Sequence, residues 1–336
     1  MRLSESLRRN ILRVGVGGII NRFKARERRD VLFFEDILAN YIKECEDAGY
    51  EKEMEEIGRK WMNLVIIGLF PPAVRKLPIT FLFNTIARKI WKNLGLMDDL
   101  NVKKIGNTII IRTKNEHTTR VIGKNAFVAG AFAGILNAVT NSETRCLKAV
   151  QTKKESEYTF SVEAAYWKNP PIKEIDKYRK LNHISERGFS MKNAIERGIL
   201  TIKENNRLQF RDRSLITIEN TLFHIFGSSN ILMDKISEIS YDYFNEIVKK
   251  DVEESNKLSL LKTIAQVTGW GEMKISRYDE EITITIENPP YGLQADEDNW
   301  DFLLHVILGF LWLLDRDFRT ISLKKQYKRL IVKYSL

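Results

Sequence analysis

The sequence predicts an α+β fold made of two tandem similar units, each a helical layer packed on a small antiparallel sheet. An apolar helix over Trp300 to Leu314 stands between the alternating strand Glu281-Ile-Thr-Ile-Thr-Ile286 and a basic strand-like run from Ile321 to Tyr334. The same order occurs upstream, where Thr108-Ile-Ile-Ile111 precedes a helix over Asn125 to Val139 and a strand over Tyr158 to Val162. Sliding one block on the other by 175 residues needs no gap from Thr108 to Leu136. Six of those 29 positions are identical: Thr108/Thr283, Ile109/Ile284, Ile111/Ile286, Phe127/Phe302, Gly134/Gly309 and Leu136/Leu311. A repeat on this scale fixes architecture before any single motif does.

Taken in order, the chain opens with Leu3, Leu7, Ile11 and Val14 on one helical face and Arg2, Arg9 and Arg13 on another. That predicts a basic amphipathic helix, ended by Gly15, Gly17 and Gly18. These glycines do not form a nucleotide loop, because a helix rather than a strand precedes them and no Lys-Ser/Thr pair follows. Ile19 to Phe34 reads as a strand pair around the charged turn Lys24–Asp30. A similar segment, Gly198 to Ile202 and Ser214 to Ile218, recurs about 180–184 residues on, with Arg211-Asp-Arg213 in its turn. Helices are expected over Phe33 to Trp61 and Glu219 to Lys250, then over Ile79 to Leu94 and Leu258 to Val267. Each second helix runs through glycine (Gly95; Gly269-Trp270-Gly271) into the strand that opens the central block. The units divide as residues 1–168 and 169–336. Asn169-Pro-Pro171 stops the preceding strand, and Lys173 to Lys180 has a helical look.

A chain of 336 residues is long enough for two domains, each with its own core. Its hydrophobic fraction of 43% and charged fraction of 29% fit a globular protein and exclude disorder. The net charge of +10 favours anionic partners, and residues 1–30 hold nine basic residues against three acids. Two cysteines, Cys45 and Cys146, build neither a disulfide framework nor a cysteine-rich zinc site, so a reducing cytoplasm is expected. Arg8, Arg9 and Arg13 interrupt any signal-peptide core. Phe302 to Leu314 is too short to span a bilayer, and Leu64 to Phe83 is broken by Pro71, Pro72, Arg75, Lys76 and Pro78.

No GxSxG, HExxH, CxxC, P-loop or Rossmann pattern occurs, so no catalytic residue, metal site or cofactor is expected. The central helices carry the candidates for a ligand pocket. Val128, Phe132, Ile135 and Val139 share one helical face, while Ala126, Gly130, Ala133 and Asn137 make the opposite face small enough for a close approach. The second copy keeps Gly309 but holds Leu304, His305 and Leu308 where the first has Ala129, Gly130 and Ala133. Such bulk is expected to open a cavity beside Gly309. The ligand-pocket candidates are Phe127, Phe132, Trp270, Phe302, His305, Gly309 and Trp312, of which Phe302, Trp312 and Trp270 are expected to border that cavity, with His305 orienting a guest or else bonding a core carbonyl.

The strand Gly106 to Ile111, the helix Gly123-Lys-Asn-Ala-Phe-Val-Ala-Gly-Ala-Phe-Ala-Gly134, and the Cys146 and Tyr158 to Val162 that follow resemble a known superfamily. It joins 4-vinyl reductase domains, small TRAPP vesicle-tethering subunits and haem-NO-binding domains. The resemblance covers residues 17–162 and, more faintly, 198–336. It implies an α+β fold and a role in holding an apolar ligand or in scaffolding. The clustered cysteines of the zinc-binding members have only Cys146 as a counterpart, and the haem ligand has none.

The expected function is non-enzymatic binding or sensing of an apolar small molecule. The alternative is a TRAPP-like scaffold docking on an acidic protein or, peripherally, on an anionic membrane surface through Arg2, Arg8, Arg9 and Arg13. Nucleic acid is the weaker partner, because no basic aromatic strand or recognition helix accompanies the charge.

Overall fold

The computed structural model describes residues 13–15, 18–23, 26–170, 189–248, 252–290, 300–326 and 329–336, with side chains from Arg29 onward. The chain is α+β, with small antiparallel sheets packed against helices. In the first block, strands β4 (Asp99–Ile105), β5 (Thr108–Lys114), β6 (Ser142–Gln151) and β7 (Glu155–Tyr166) form a four-stranded sheet in the order β4-β5-β7-β6. In the second, β11 (Glu272–Tyr278), β12 (Glu281–Glu287), β13 (Arg319–Gln326) and β14 (Arg329–Ser335) take the same order, β11-β12-β14-β13. Alternation makes each sheet one-faced. Ile109, Ile111, Tyr158 and Phe160 in one, and Ile282, Ile284, Ile286, Leu330, Val332 and Tyr334 in the other, are fully buried.

The hairpin turns place the repeat more finely than the ungapped alignment does. Gly106-Asn107 and Asp279-Glu280 turn β4 into β5 and β11 into β12, a step of 173 rather than 175. A strand repeats every two residues, so a slip of two keeps every side chain on its proper face and matches isoleucine with isoleucine.

The helices of the first block are α1 (Glu35–Asp47), α2 (Glu51–Leu69), the short turns α3 (Pro72–Arg75) and α4 (Ile79–Phe81), α5 (Arg88–Asn93), α6 (Thr119–Ile122) and α7 (Ala126–Thr140). Between α4 and α5 the expected single helix passes through a π turn, Leu82–Ala87. The second block contributes α8 (Met191–Glu196), α9 (Thr221–Ser229), α10 (Met233–Ile247), α11 (Glu254–Thr268) and α12 (Asp301–Leu311). Asn125 caps α7 by accepting from Val128 N at 2.9 Å.

The small face of α7 does what its composition demands. A Cβ built on Gly130 would stand 1.8 Å from Glu55 O of α2, and one on Gly134 would stand 2.1 Å from Arg59 O. Backbones in such contact exclude any side chain, so α2 and α7 cross at the closest approach open to helices. In the second block a Cβ built on Gly309 of α12 would stand 2.3 Å from Ser237 O of α10.

The N-terminal hairpins do not stay with their own blocks. Strands β1 (Arg13–Gly15), β2 (Gly18–Phe23) and β3 (Arg26–Phe34) join β8 (Leu200–Ile202), β9 (Leu208–Phe210) and β10 (Arg213–Glu219) in one six-stranded sheet, β1-β2-β3-β10-β9-β8. The seam is antiparallel, with Leu32 opposite Thr217 and Asp30 opposite Glu219. The helices that follow cross over as well: α1 packs on α10, and α9 packs on α2. The expected separate cores are therefore one continuous apolar cluster. Val31, Leu32, Phe33 and Phe34 are inaccessible on both faces of the strand, which requires cover from both blocks. The junction at 168/169 borders residues 171–188, which lie outside the described residues and include the segment Lys173 to Lys180.

One expectation at the N-terminus changes. The helix over residues 1–14 falls largely outside the described residues, but Arg13 lies in β1 opposite Ile20. The β-branched Val14 and the glycines at 15 and 18 suit an edge strand better than the last turn of a helix.

Candidate functional site

An apolar cavity of about 100 Å³ lies in the first block, between its helical layer and the seam strands. Trp61, Met62, Val65 and Leu69 of α2 form one wall, and Val128, Ala131, Phe132 and Ile135 of α7 form the next. The solvent side is made by Ile90 and Trp91 of α5 with Leu94 and Leu96, all half-buried. Helical spacing explains why these residues converge: 61, 62, 65 and 69, like 128, 131, 132 and 135, form single stripes. Aromatic packing fixes the walls. Trp61 stacks on Phe127 at 5.6 Å, and Phe132 lies 5.2 Å from Tyr158 and 6.0 Å from Trp91.

Met97 completes the apolar lining, and the polar lining residues are Asp30, His117, Thr217 and Glu219. His117 sits in a strained segment. Its carbonyl accepts from Thr119 N at 2.6 Å across Thr118, whose φ of 59° and ψ of −54° make a γ-turn of the rarer hand. A β-branched residue pays about 1–3 kcal/mol for such a backbone. Buried Glu35 holds it there: one carboxylate oxygen accepts from Thr118 N at 3.0 Å, and the other accepts from Arg120 at 2.7 Å. Below the turn Glu116 accepts from Thr113 at 2.6 Å, from Ser156 at 2.9 Å and from the Tyr158 hydroxyl. The residues on both sides of His117 are therefore held in place.

Burial, with some help from the nearby Arg120 charge, lowers the His117 pKa to about 3, so the imidazole is neutral at pH 7. Three buried polar atoms of the lining residues find no hydrogen-bond partner in the protein: Trp61 Nε1, His117 Nδ1 and Thr217 Oγ1. Leaving one such group unmade costs about 1–3 kcal/mol. An apolar wall with a few convergent polar atoms is the usual make-up of a small-molecule site.

The seven pocket candidates from the sequence are distributed differently. Phe132 lines this cavity. Phe127 and Phe302 are packed solid in an aromatic column, in which Trp61, Phe127, Phe226 and Phe302 stack successively at 5.6, 5.8 and 5.0 Å. Trp270 is fully buried, and its Nε1 donates to Leu32 O at 3.0 Å. Among the described residues, α10 closes on Gly309 itself: a Cβ built there would stand 2.3 Å from Ser237 O and 2.6 Å from Ser240 Cβ, so no room opens at the glycine. His305 is half-buried, with Nδ1 2.9 Å from Ser237 Oγ, which also donates to His305 O at 3.1 Å. Trp312 is half-buried and donates to Phe318 O at 3.0 Å, with Arg316 between its ring and that of Tyr241. Among the anion-binding candidates, Arg2, Arg8 and Arg9 lie outside the described residues.

His117 and Thr217 were not singled out by sequence. The available signal was a threonine and a glutamate inside the apolar run Leu215-Ile-Thr-Ile-Glu219. Among the described residues, no group of three or more His, Cys, Asp or Glu could hold a metal ion, and no helix is long and apolar enough to cross a membrane.

No family model and no curated protein matches the chain. Among solved structures, a trafficking protein particle complex subunit 3 from Naegleria fowleri, covalently bound to palmitic acid, is similar over 40% of this chain and 98% of its own. The identity is 13% and the TM-score 0.30. A likeness that slight carries no argument about function.

Proposed function

We propose that this protein binds a small apolar molecule in the cavity of its first block, holding it without chemical conversion. The observation behind this reading is one apolar cavity whose lining contains three partnerless buried polar atoms. A guest with an apolar body and one polar end would fill the void and satisfy those atoms together. Apolar cavities of about 150 Å³ in other proteins stay dry and take up single-ring guests; at about 100 Å³ this room is smaller, which restricts it to a compact guest. The scaffold alternative rests on the duplication and on the basic residues Arg2, Arg8, Arg9 and Arg13, of which Arg2, Arg8 and Arg9 lie outside the described residues.

The test is solvent extraction and mass spectrometry of the protein purified from its native source, beside a variant with the cavity filled, Val65→Trp. The expected result is a stoichiometric apolar compound in the wild type, reduced in the variant. An extract with no bound compound, or the same compound at equal yield from both proteins, overturns the reading.

A further inference from the structure

The two blocks build the same turn where a helix ends before the sheet. In the first, Gly95 is left-handed with φ 69°, and Leu96 N donates to Trp91 O at 3.0 Å. In the second, Gly269 is left-handed with φ 84°, and Trp270 N donates to Ala265 O at 2.8 Å. Leu96 and Trp270 thus hold the same position in the same helix-ending turn.

Their surroundings correspond too, because each meets the hairpin of the opposite block. Trp270 lies against β3, bonded to Leu32 O, with its ring 5.8 Å from Phe33 and 6.2 Å from Phe34. Leu96 borders the cavity, which Thr217 and Glu219 of β10 also line. Where the second block holds an indole, the first holds a shorter side chain and an open room. Trp91, at the counterpart of Ala265, does not fill that room: it is half-buried and packs sideways on Phe83 and Phe132.

Building on the cavity reading above, we propose that Trp270 is a built-in occupant of the second block's copy of the binding room. The chain then takes a single guest, in the first block, and Leu96 is the residue that keeps that room open. Trp270 also indicates the class of guest: an uncharged flat ring with one polar atom that reaches the strand. Among the described residues, the nitrogen-bearing side chains that line the first room are two indoles and a neutral imidazole, which suits an uncharged guest. Among them no Lys or Arg lines it to pair a carboxylate.

The experiment is calorimetric titration of the full chain with indole, with benzoate as the charged control. The wild type should take one equivalent of indole and no benzoate. Leu96→Trp should weaken indole binding by about ten-fold or more and raise the melting temperature. Trp270→Gly should take a second equivalent, with indole restoring part of its lost melting temperature. If Trp270→Gly does not fold even with indole, Trp270→Leu, which copies the first block, is read in its place. Undiminished indole binding by Leu96→Trp, or a folded Trp270 variant without a second equivalent, overturns the inference. Uptake of an acyclic guest but not indole by the wild type overturns it while leaving the cavity reading intact. A protein that takes up no apolar guest overturns the cavity reading itself.

Discussion

At the scale of single residues, the two blocks solve one problem in two ways. The last carbonyl of a helix-ending turn and the carbonyl after the second strand need a donor in each block. Arg120 supplies it to Gly95 O and Asn115 O, both at 3.1 Å, from within the first block. In the second block Arg29 of β3 supplies it to Gly269 O and Asn288 O at 2.8 Å, and to Pro289 O at 2.7 Å. Burial lowers the Arg29 pKa to about 9, which still leaves it charged at neutral pH, and a cation beside a helix C-terminus is favourable. The buried histidines make stability depend on acid. Burial first, then a nearby cation (Arg120 or Lys325), holds His117 and His224 at about 3, below the unfolded value of 6.5. Between those values the unfolded chain binds more protons than the folded one. Stability that is complete above pH 6.5 is therefore lost on acidification, at about 1.4 kcal/mol per pH unit for each histidine. Denaturant melts of the wild type should lose about 4 kcal/mol between pH 7 and 5 from this pair. The double variant His117→Gln, His224→Gln should lack that part of the slope.

The elements show what period and composition can reveal. The four-stranded sheets were legible because alternation over Glu281 to Ile286 permits one register parity and one buried face. The glycines of α7 were legible as a close contact, and the contact is with the α2 backbone. Gly130→Ala would set a methyl against Glu55 O, so the crossing must open. A loss of about 3 kcal/mol or more in chemical denaturation is expected, against about 1–2 kcal/mol for Gly49→Ala at the exposed end of α1, where space is open and only the positive φ of 94° resists a side chain. The site was not legible because its walls come from α2, α5, α7, two loops and β10, each unremarkable alone. The close contact at Gly309 was hidden for a related reason: Ser237 and Ser240 on α10, which admit it, lie about 70 residues away in sequence and carry no mark of their partner.

For the whole molecule, the shared sheet and crossed helices mean that neither block closes its own core. The signal was present in Val31-Leu-Phe-Phe34, an unbroken apolar run where a one-faced strand would alternate. It does not say which strand covers it. A fragment of residues 1–170 lacks β10, α9 and α10 and so exposes β3, Tyr41 and Phe127. It should associate or aggregate in sedimentation analysis, and co-expression with residues 171–336 should restore a soluble pair. A well-folded monomeric fragment would contradict this interlocking.

The seam between β3 and β10 also sets an order of events during synthesis. About 180 residues separate the two strands, so at roughly 5–20 residues per second β3 leaves the ribosome some 10–40 seconds before its partner exists. Through that interval an apolar strand offers unpaired backbone to any neighbouring nascent chain, the geometry that invites edge-to-edge association. Translation speed and chaperone supply would therefore govern the yield of this protein more than the final stability of its fold.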